Sequence, residues 1–272
     1  MILFDFSNYD QLIPLVTNSL IAGALLAIIG GLIGTFVMTR DMSFAVHGIS
    51  ELSFAGAAVA LLLGANVVFG SVIGSLLAAA IIGALGAKAK ERNSIVAVLM
   101  PAGLGLGILA LALYEGRAAN KFGLLTGQIV AVDDPQLFWL ASICFFILAV
   151  LIVVWRPLNF ASLDSEVAAA RGVPTRALSV VFMILLGLAV AASVQVVGAL
   201  LVLSLLVTPA AAALRVSRSP IFTPMLSVAF AMISVIGGIL LALGAGLPIS
   251  PYVTTISFLI YVICRVIEKV KK

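Results

Sequence analysis

One histidine occurs in the 272-residue chain, at position 47, and Glu51 follows it by four residues. Both sit in an apolar run, residues 44–63, that is long enough to cross a membrane as a helix. At a spacing of i, i+4 the two side chains lie about 40° apart on one helical face, separated by one turn. An acidic group at the centre of a membrane helix costs roughly 2.5–3.5 kcal/mol on insertion scales, so its presence calls for compensation. Three chemistries supply it. The pair could fasten two helices, could relay protons, or could bind a metal ion. Imidazole suits zinc, iron and nickel, and carboxylate oxygen suits manganese. Two ligands on one helix do not complete a coordination sphere, so further donors would come from other helices, a second copy of the chain, or water. Ser43, Ser50 and Ser53 lie nearby, but neutral hydroxyls are poor ligands.

The elements that carry this pair follow from composition. Sixty-three per cent of the residues are hydrophobic and 10% are charged. Average soluble chains are about 45–50% apolar and about 25% charged. A mean hydropathy of +1.30 excludes a soluble enzyme and a disordered chain alike. Apolar runs cover residues 12–37, 44–63, 67–87, 95–113, 137–154, 221–243 and 252–264. The stretch 178–214 is too long for one span and fits two, with a turn near Gln195 to Gly198. The expectation is an all-α polytopic membrane protein of about nine helices. A β-barrel would need short alternating segments, which runs such as residues 23–29 lack.

Basic residues give the orientation. Arg40, Lys88, Lys90, Arg92, Arg156, Arg171, Arg176, Arg215, Arg218, Arg265, Lys269, Lys271 and Lys272 fall on one side if the spans alternate, and only Arg117 and Lys121 fall on the other. This predicts an N-terminus outside and a C-terminus in the cytoplasm, with residues 1–272 as a single membrane domain. Asp5 and Asp10 precede the first span with no basic residue before Arg40, so the first helix is expected to be its own insertion signal. The net charge of +4 reflects cytoplasmic flanks rather than a nucleic-acid partner. Cys144 and Cys264 read as small apolar packers.

Several patterns resemble chemistry without its context. Residues 105–110 match GxGxxA, but inside a span and with no preceding strand, so packing is the reading. Gly30/Gly34 and Gly70/Gly74 are GxxxG pairs that allow close helix approach. No GxxxxGK[ST] phosphate loop is present, so uphill work would draw on a partner or an ion gradient.

The segment from Arg40 to Gly56 resembles the second helix of the permeases of bacterial zinc and manganese ABC transporters, which reads approximately R-x-M-S-x-x-x-D-A-L-S-H-A-x-x-P-G. Four more runs are similar to that family in the same order: 122–129, 164–174 (D-x-E-x-A-x-A-x-G-V-P), 195–202 and 206–211. The family carries Asp and then His, implicated in metal passage. Here His47 stands in place of Asp and Glu51 in place of His, so one nitrogen and one carboxylate survive in reversed order.

The resemblance implies a multi-pass permease in the bacterial cytoplasmic membrane, carrying manganese or zinc as substrate with no permanently bound cofactor. It implies two copies of the permease, a cytoplasmic ATPase subunit that hydrolyses the ATP, and an extracytoplasmic metal-binding protein. Asp5, Asp10, Glu115, Asp133 and Asp134 fall on the outer side, where surface solvation is the expected role of each and pairing with a basic surface of that protein the alternative. The cytoplasmic loop 156–177 would couple to the ATPase. Asp164 can cap a short helix there, the alanine-rich stretch after it favours helix, Gly172 can end it, and Pro174 blocks continuation. Val167, Ala168, Arg171 and Gly172 are the expected contacts. The rival reading is a secondary transporter that couples to protons through His47 and Glu51. A membrane scaffold is a further alternative.

Overall fold

The computed structural model describes residues 9, 13–85, 89–116, 124, 132–198, 201–245 and 249–270. Among them there is no strand. A 3-10 turn at Ile13–Val16 leads into α1 (Thr17–Thr39) and α2 (Ser43–Leu62). The chain continues through α3 (Val67–Leu85), α4 (Ala89–Leu113) and α5 (Asp134–Leu163). Then come the short α6 (Ser165–Ala170), α7 (Thr175–Val197), α8 (Val202–Leu206) and α9 (Thr208–Val216). The chain closes with α10 (Phe222–Ala245) and α11 (Ile249–Val270). Seven helices among the described residues are long and apolar enough to cross a membrane: α1 to α5, α7 and α10. The protein is a polytopic all-α membrane protein.

Lipid tails are as apolar as leucine, so burial alone does not hold such helices together, and close van der Waals packing has to. The glycines supply it. Gly56 of α2 lies against Gly70 and Gly74 of α3, so closely that a Cβ on any of the three would strike the facing backbone. The second GxxxG pair packs likewise, with Gly30 against Leu205 and Gly34 against Leu206 and Ala210. Gly107, from the GxGxxA run, sits within α4 and faces Phe54. Phe54, Phe182, Leu26, Ile33 and Leu186 are among the fully buried side chains. Phe138, Phe145, Ile152 and Val153 point outward, as an apolar surround permits. Cys144 and Cys264 are buried free thiols.

Polar contacts sort the helix ends into two layers. At one end, Asn18 at the start of α1 donates to Asp134 Oδ1 (2.8 Å) and to the Val132 carbonyl (3.3 Å) at the start of α5. Gln195, near the end of α7, donates to the Val67 carbonyl at the start of α3 (3.2 Å). At the other end, Arg92 near the start of α4 donates to the carbonyls of Arg40 and Asp41 in the α1–α2 turn, at 3.1 and 3.0 Å. Arg215 of α9 meets Glu268 of α11 at 3.4 Å.

Two boundaries depart from the sequence reading. Helix α5 does not stop near residue 154 but runs to Leu163, through Arg156 and Pro157. Proline removes one N–H from the ladder, yet Leu158 and Ala161 beyond it are buried and keep the helix on the bundle. The loop expected over 156–177 is therefore narrowed to a segment between Leu163 and Thr175. The second half of 178–214 is not one helix. After Gly198, with φ +85°, it forms α8 and α9, which meet at Val207 ahead of Pro209. Pro209 at the start of α9 has no N–H to continue the preceding turn.

Candidate metal-transfer site and coupling helix

His47 and Glu51 project from the first half of α2 on one face, as their spacing requires. Nε2 of His47 stands 3.8 Å from Oε1 of Glu51, which is an ion-pair distance but too long for a hydrogen bond. The His47 side chain is 28% exposed and that of Glu51 only 6%. Helix α4 closes the adjacent side: Gly48 faces Val96, and Gly103 lies against the backbone at Glu51 and Leu52. His47 Nδ1 and Glu51 Oε2 are both buried, and neither has a hydrogen-bond partner among the described residues.

Those unpartnered atoms bear on what the pair does. A buried polar atom left unpaired costs about 1–3 kcal/mol, and more if charged. Among the described residues these two atoms form no hydrogen bond to a second helix. Two of the nearby serines, Ser43 and Ser53, are committed elsewhere. Ser53 Oγ and Ser71 Oγ lie 2.8 Å apart, Ser53 also donates to the Ser71 carbonyl (3.1 Å), and Ser43 contacts the Met38 sulfur (3.4 Å). No cluster of three or more His, Cys, Asp or Glu occurs among the described residues. The pair presents one nitrogen and one carboxylate oxygen, too few donors by themselves to complete a metal coordination sphere.

The segment around α6 is the opposite case, with its polar groups satisfied locally. Asp164 caps α6 by accepting from the backbone N–H of Glu166 (3.1 Å) and Val167 (3.0 Å). The N–H of Val173 returns to the Ala168 carbonyl (3.0 Å). Gly172 has φ +80°, a conformation that a residue with a Cβ adopts only with strain, and open space surrounds it. Val167, Arg171 and Gly172 are exposed. Ala168 is not: it is fully buried and packs α6 against the rest of the chain, which removes it from the outward-facing contacts.

Two of the acids expected on the outer side also have local work. Asp133 caps α5 by accepting from the Gln136 N–H (2.8 Å), and Asp134 accepts from Asn18 (2.8 Å). Glu115 is exposed. Asp5, Asp10, Lys88, Arg117, Lys121, Lys271 and Lys272 lie outside the described residues, as does the 122–129 motif apart from Leu124 and the 195–202 motif at positions 199 and 200.

The sequence reading takes Arg40 as a topology marker and as the first residue of the family-like segment, and assigns it no contact. Its Nε donates to Ser162 Oγ at 2.8 Å, and its guanidinium lies 5.0 Å from the Phe182 ring centroid. Burial first, and then the nearby Arg92 charge, hold its pKa below the ordinary arginine value. These partners are far away in sequence, and no local pattern announces them.

Comparison with known proteins agrees with this architecture. The ABC 3 transport family matches residues 12–268. The manganese transport system membrane protein MntC of Halalkalibacterium halodurans is 32% identical over 235 residues, covering 85% of this chain and 80% of its own. The high-affinity zinc uptake system membrane protein ZnuB of Haemophilus influenzae is 26% identical over 90% of this chain and 94% of its own. The solved structure of PsaBC from Streptococcus pneumoniae in complex with Fab shares the fold, with a TM-score of 0.85 at 24% identity, over 96% of this chain and 95% of that one. A fold of packed apolar helices, matched from near its first span to near its last residue, leaves one assignment: the chain belongs to the ABC 3 transport family, as a membrane-spanning permease.

Proposed function

We propose that this permease carries a divalent transition metal, manganese or zinc, into the bacterial cell, and that a separate cytoplasmic ATPase subunit supplies the energy. The observation that carries the reading is the pair of buried, unpartnered donor atoms, His47 Nδ1 and Glu51 Oε2, on the second helix of an ABC 3 family chain. The manganese and zinc transport names of the relatives support the choice of cargo.

The chain crosses the membrane nine times in this reading. Helices α8 and α9 together form one crossing and α11 the last, beside the seven long spans. The N-terminus is outside and the C-terminus inside. The sorting of Arg40, Arg92, Arg215 and Glu268 to one end of the bundle supports that arrangement. Two permease copies enclose the pathway, and an extracytoplasmic metal-binding protein delivers the ion.

The ion sheds water against His47 and Glu51, and further ligands come from water or from the second copy. A two-donor stop binds weakly enough to release, which conduction requires. Inside, α6 presents Val167, Arg171 and Gly172 to the ATPase subunit. Asp164 fixes where that helix starts, and Ala168 fixes its underside to the permease. ATP-driven closure of the ATPase pair moves α6 and opens the pathway to each side in turn.

The test is metal uptake by the complete complex reconstituted in liposomes, with manganese, zinc and iron compared, with and without ATP. ATP-dependent uptake of manganese or zinc is expected. Uptake that persists without ATP or the ATPase subunit, and follows a proton gradient, would establish the secondary-transporter reading instead.

A further inference from the structure

The turn that launches α2 is tied to both flanks of α6 through one side chain. Ser162, which accepts from Arg40 Nε at 2.8 Å, lies in the last turn of α5, two residues before the α6 cap Asp164. The Ser162 hydroxyl gives its own proton to the Leu158 carbonyl (2.6 Å), which leaves its lone pairs for Arg40. Phe182, under the guanidinium at 5.0 Å, belongs to α7, the helix that leaves the coupling segment. Phe36, one turn before Arg40, meets the same Phe182 ring edge-on at 6.1 Å and Trp155 of α5 at 5.1 Å. The end of α1 therefore touches the helix entering α6 and the helix leaving it.

On its other side this end is stiff. Arg92 holds the carbonyls of both Arg40 and Asp41. Asp41 has φ +52°, a left-handed conformation that a residue with a Cβ rarely adopts. The turn is short, α2 begins at Ser43, and His47 follows within its second turn. A displacement of the α5 and α7 ends cannot be absorbed by a loose loop before it reaches α2. Among the described residues no carboxylate forms an ion pair with Arg40, so its orientation is set by Ser162 and Phe182.

We propose that Arg40 is a positioning residue that transmits movement of the coupling helix to α2, and thereby sets whether His47 and Glu51 hold or release the ion. The inference rests on the permease reading above. The planar guanidinium is required, because it donates to Ser162 while stacking on Phe182, which a lysine ammonium does not reproduce.

The experiment uses the complete complex of permease, ATPase subunit and metal-binding protein in liposomes. ATP hydrolysis and manganese or zinc uptake are measured on the same preparation and expressed as ions imported per ATP. Arg40→Ala and Arg40→Lys are both expected to lower that ratio, roughly three- to thirtyfold, the span of measured coupling effects. Hydrolysis itself is retained, since the ATPase subunit is untouched. Ser162→Ala lowers the ratio less, and adding it to Arg40→Ala lowers it no further, because the two residues share one interaction.

An unchanged ratio in assembled Arg40→Ala complexes overturns the proposal. So does a proportional fall of hydrolysis and uptake, which is what a merely structural role produces. If Arg40→Ala does not assemble, Ser162→Ala, which removes one hydroxyl, decides by the same ratio. A wild-type complex with no ATP-driven metal uptake refutes the permease reading itself, a different outcome from either of these.

Discussion

Asp164 sits exposed at the head of α6 and accepts two backbone N–H bonds, whereas Glu51 sits inside the bundle and its Oε2 has no partner among the described residues. One carboxylate caps a helix and the other lies within one. The first has its hydrogen bonds completed by the fold, and its work is to make a six-residue helix start at a fixed place. The second is left incomplete where incompleteness is expensive, beside a histidine in the same condition. The difference teaches where to look for a transient ligand. A polar group satisfied by its own chain is architecture, and one held unsatisfied in an apolar surround is available to something that passes.

The comparison breaks first at α2. Replacing His47 by Ala together with Glu51 by Gln should lower ATP-driven metal uptake by roughly 100-fold or more, since even outer-shell partners of a metal are worth 10–100-fold. If instead the pair is architecture, the same variant loses stability and keeps its uptake.

The next largest effect belongs to Gly172. Valine there meets open space but is forced to φ +80°, a strain of roughly 1–2 kcal/mol for a residue with a Cβ, which distorts the end of α6. Metal imported per ATP should drop while membrane insertion is retained. Coupled transport at the wild-type ratio in that variant would count against α6 as the coupling element.

The glycine seam between α2 and α3 sharpens the contrast by being purely structural. Gly74→Val drives a side chain into the Leu52 backbone and should destabilise the detergent-solubilised protein by about 1–3 kcal/mol, read as a lowered Tm. Its residual uptake per folded molecule should be less affected than that of the His47/Glu51 variant.

The smallest effect is at the cap. Asp164→Ala should cost about 1 kcal/mol of local helix stability, and Asp164→Asn much less, because the amide oxygen still accepts from the backbone. Hydrogen exchange at the N–H groups of Glu166 and Val167 reports it directly.

Much of this was legible without coordinates, for identifiable reasons. Charge is so scarce that position alone picks out His47 and Glu51, and an i, i+4 spacing fixes their shared face. Asp164, Gly172 and Pro174 are local signals, and a cap or a turn needs only local chain. What escaped the sequence depends on distant partners. The apolar run ends at residue 154, but the burial of Leu158 and Ala161 carries α5 to Leu163. Ala168 reads as a small docking residue until the packing that covers it is known. Arg40 and Ser162 stand 122 residues apart, and nothing in either neighbourhood pairs them.

The most direct test of the account is ATP-dependent uptake of manganese and zinc by liposomes that hold the complete complex, wild type against His47→Ala with Glu51→Gln, at matched ATP hydrolysis. The variant is expected to assemble, hydrolyse ATP and import almost no metal. Equal metal accumulation by the two complexes would contradict it.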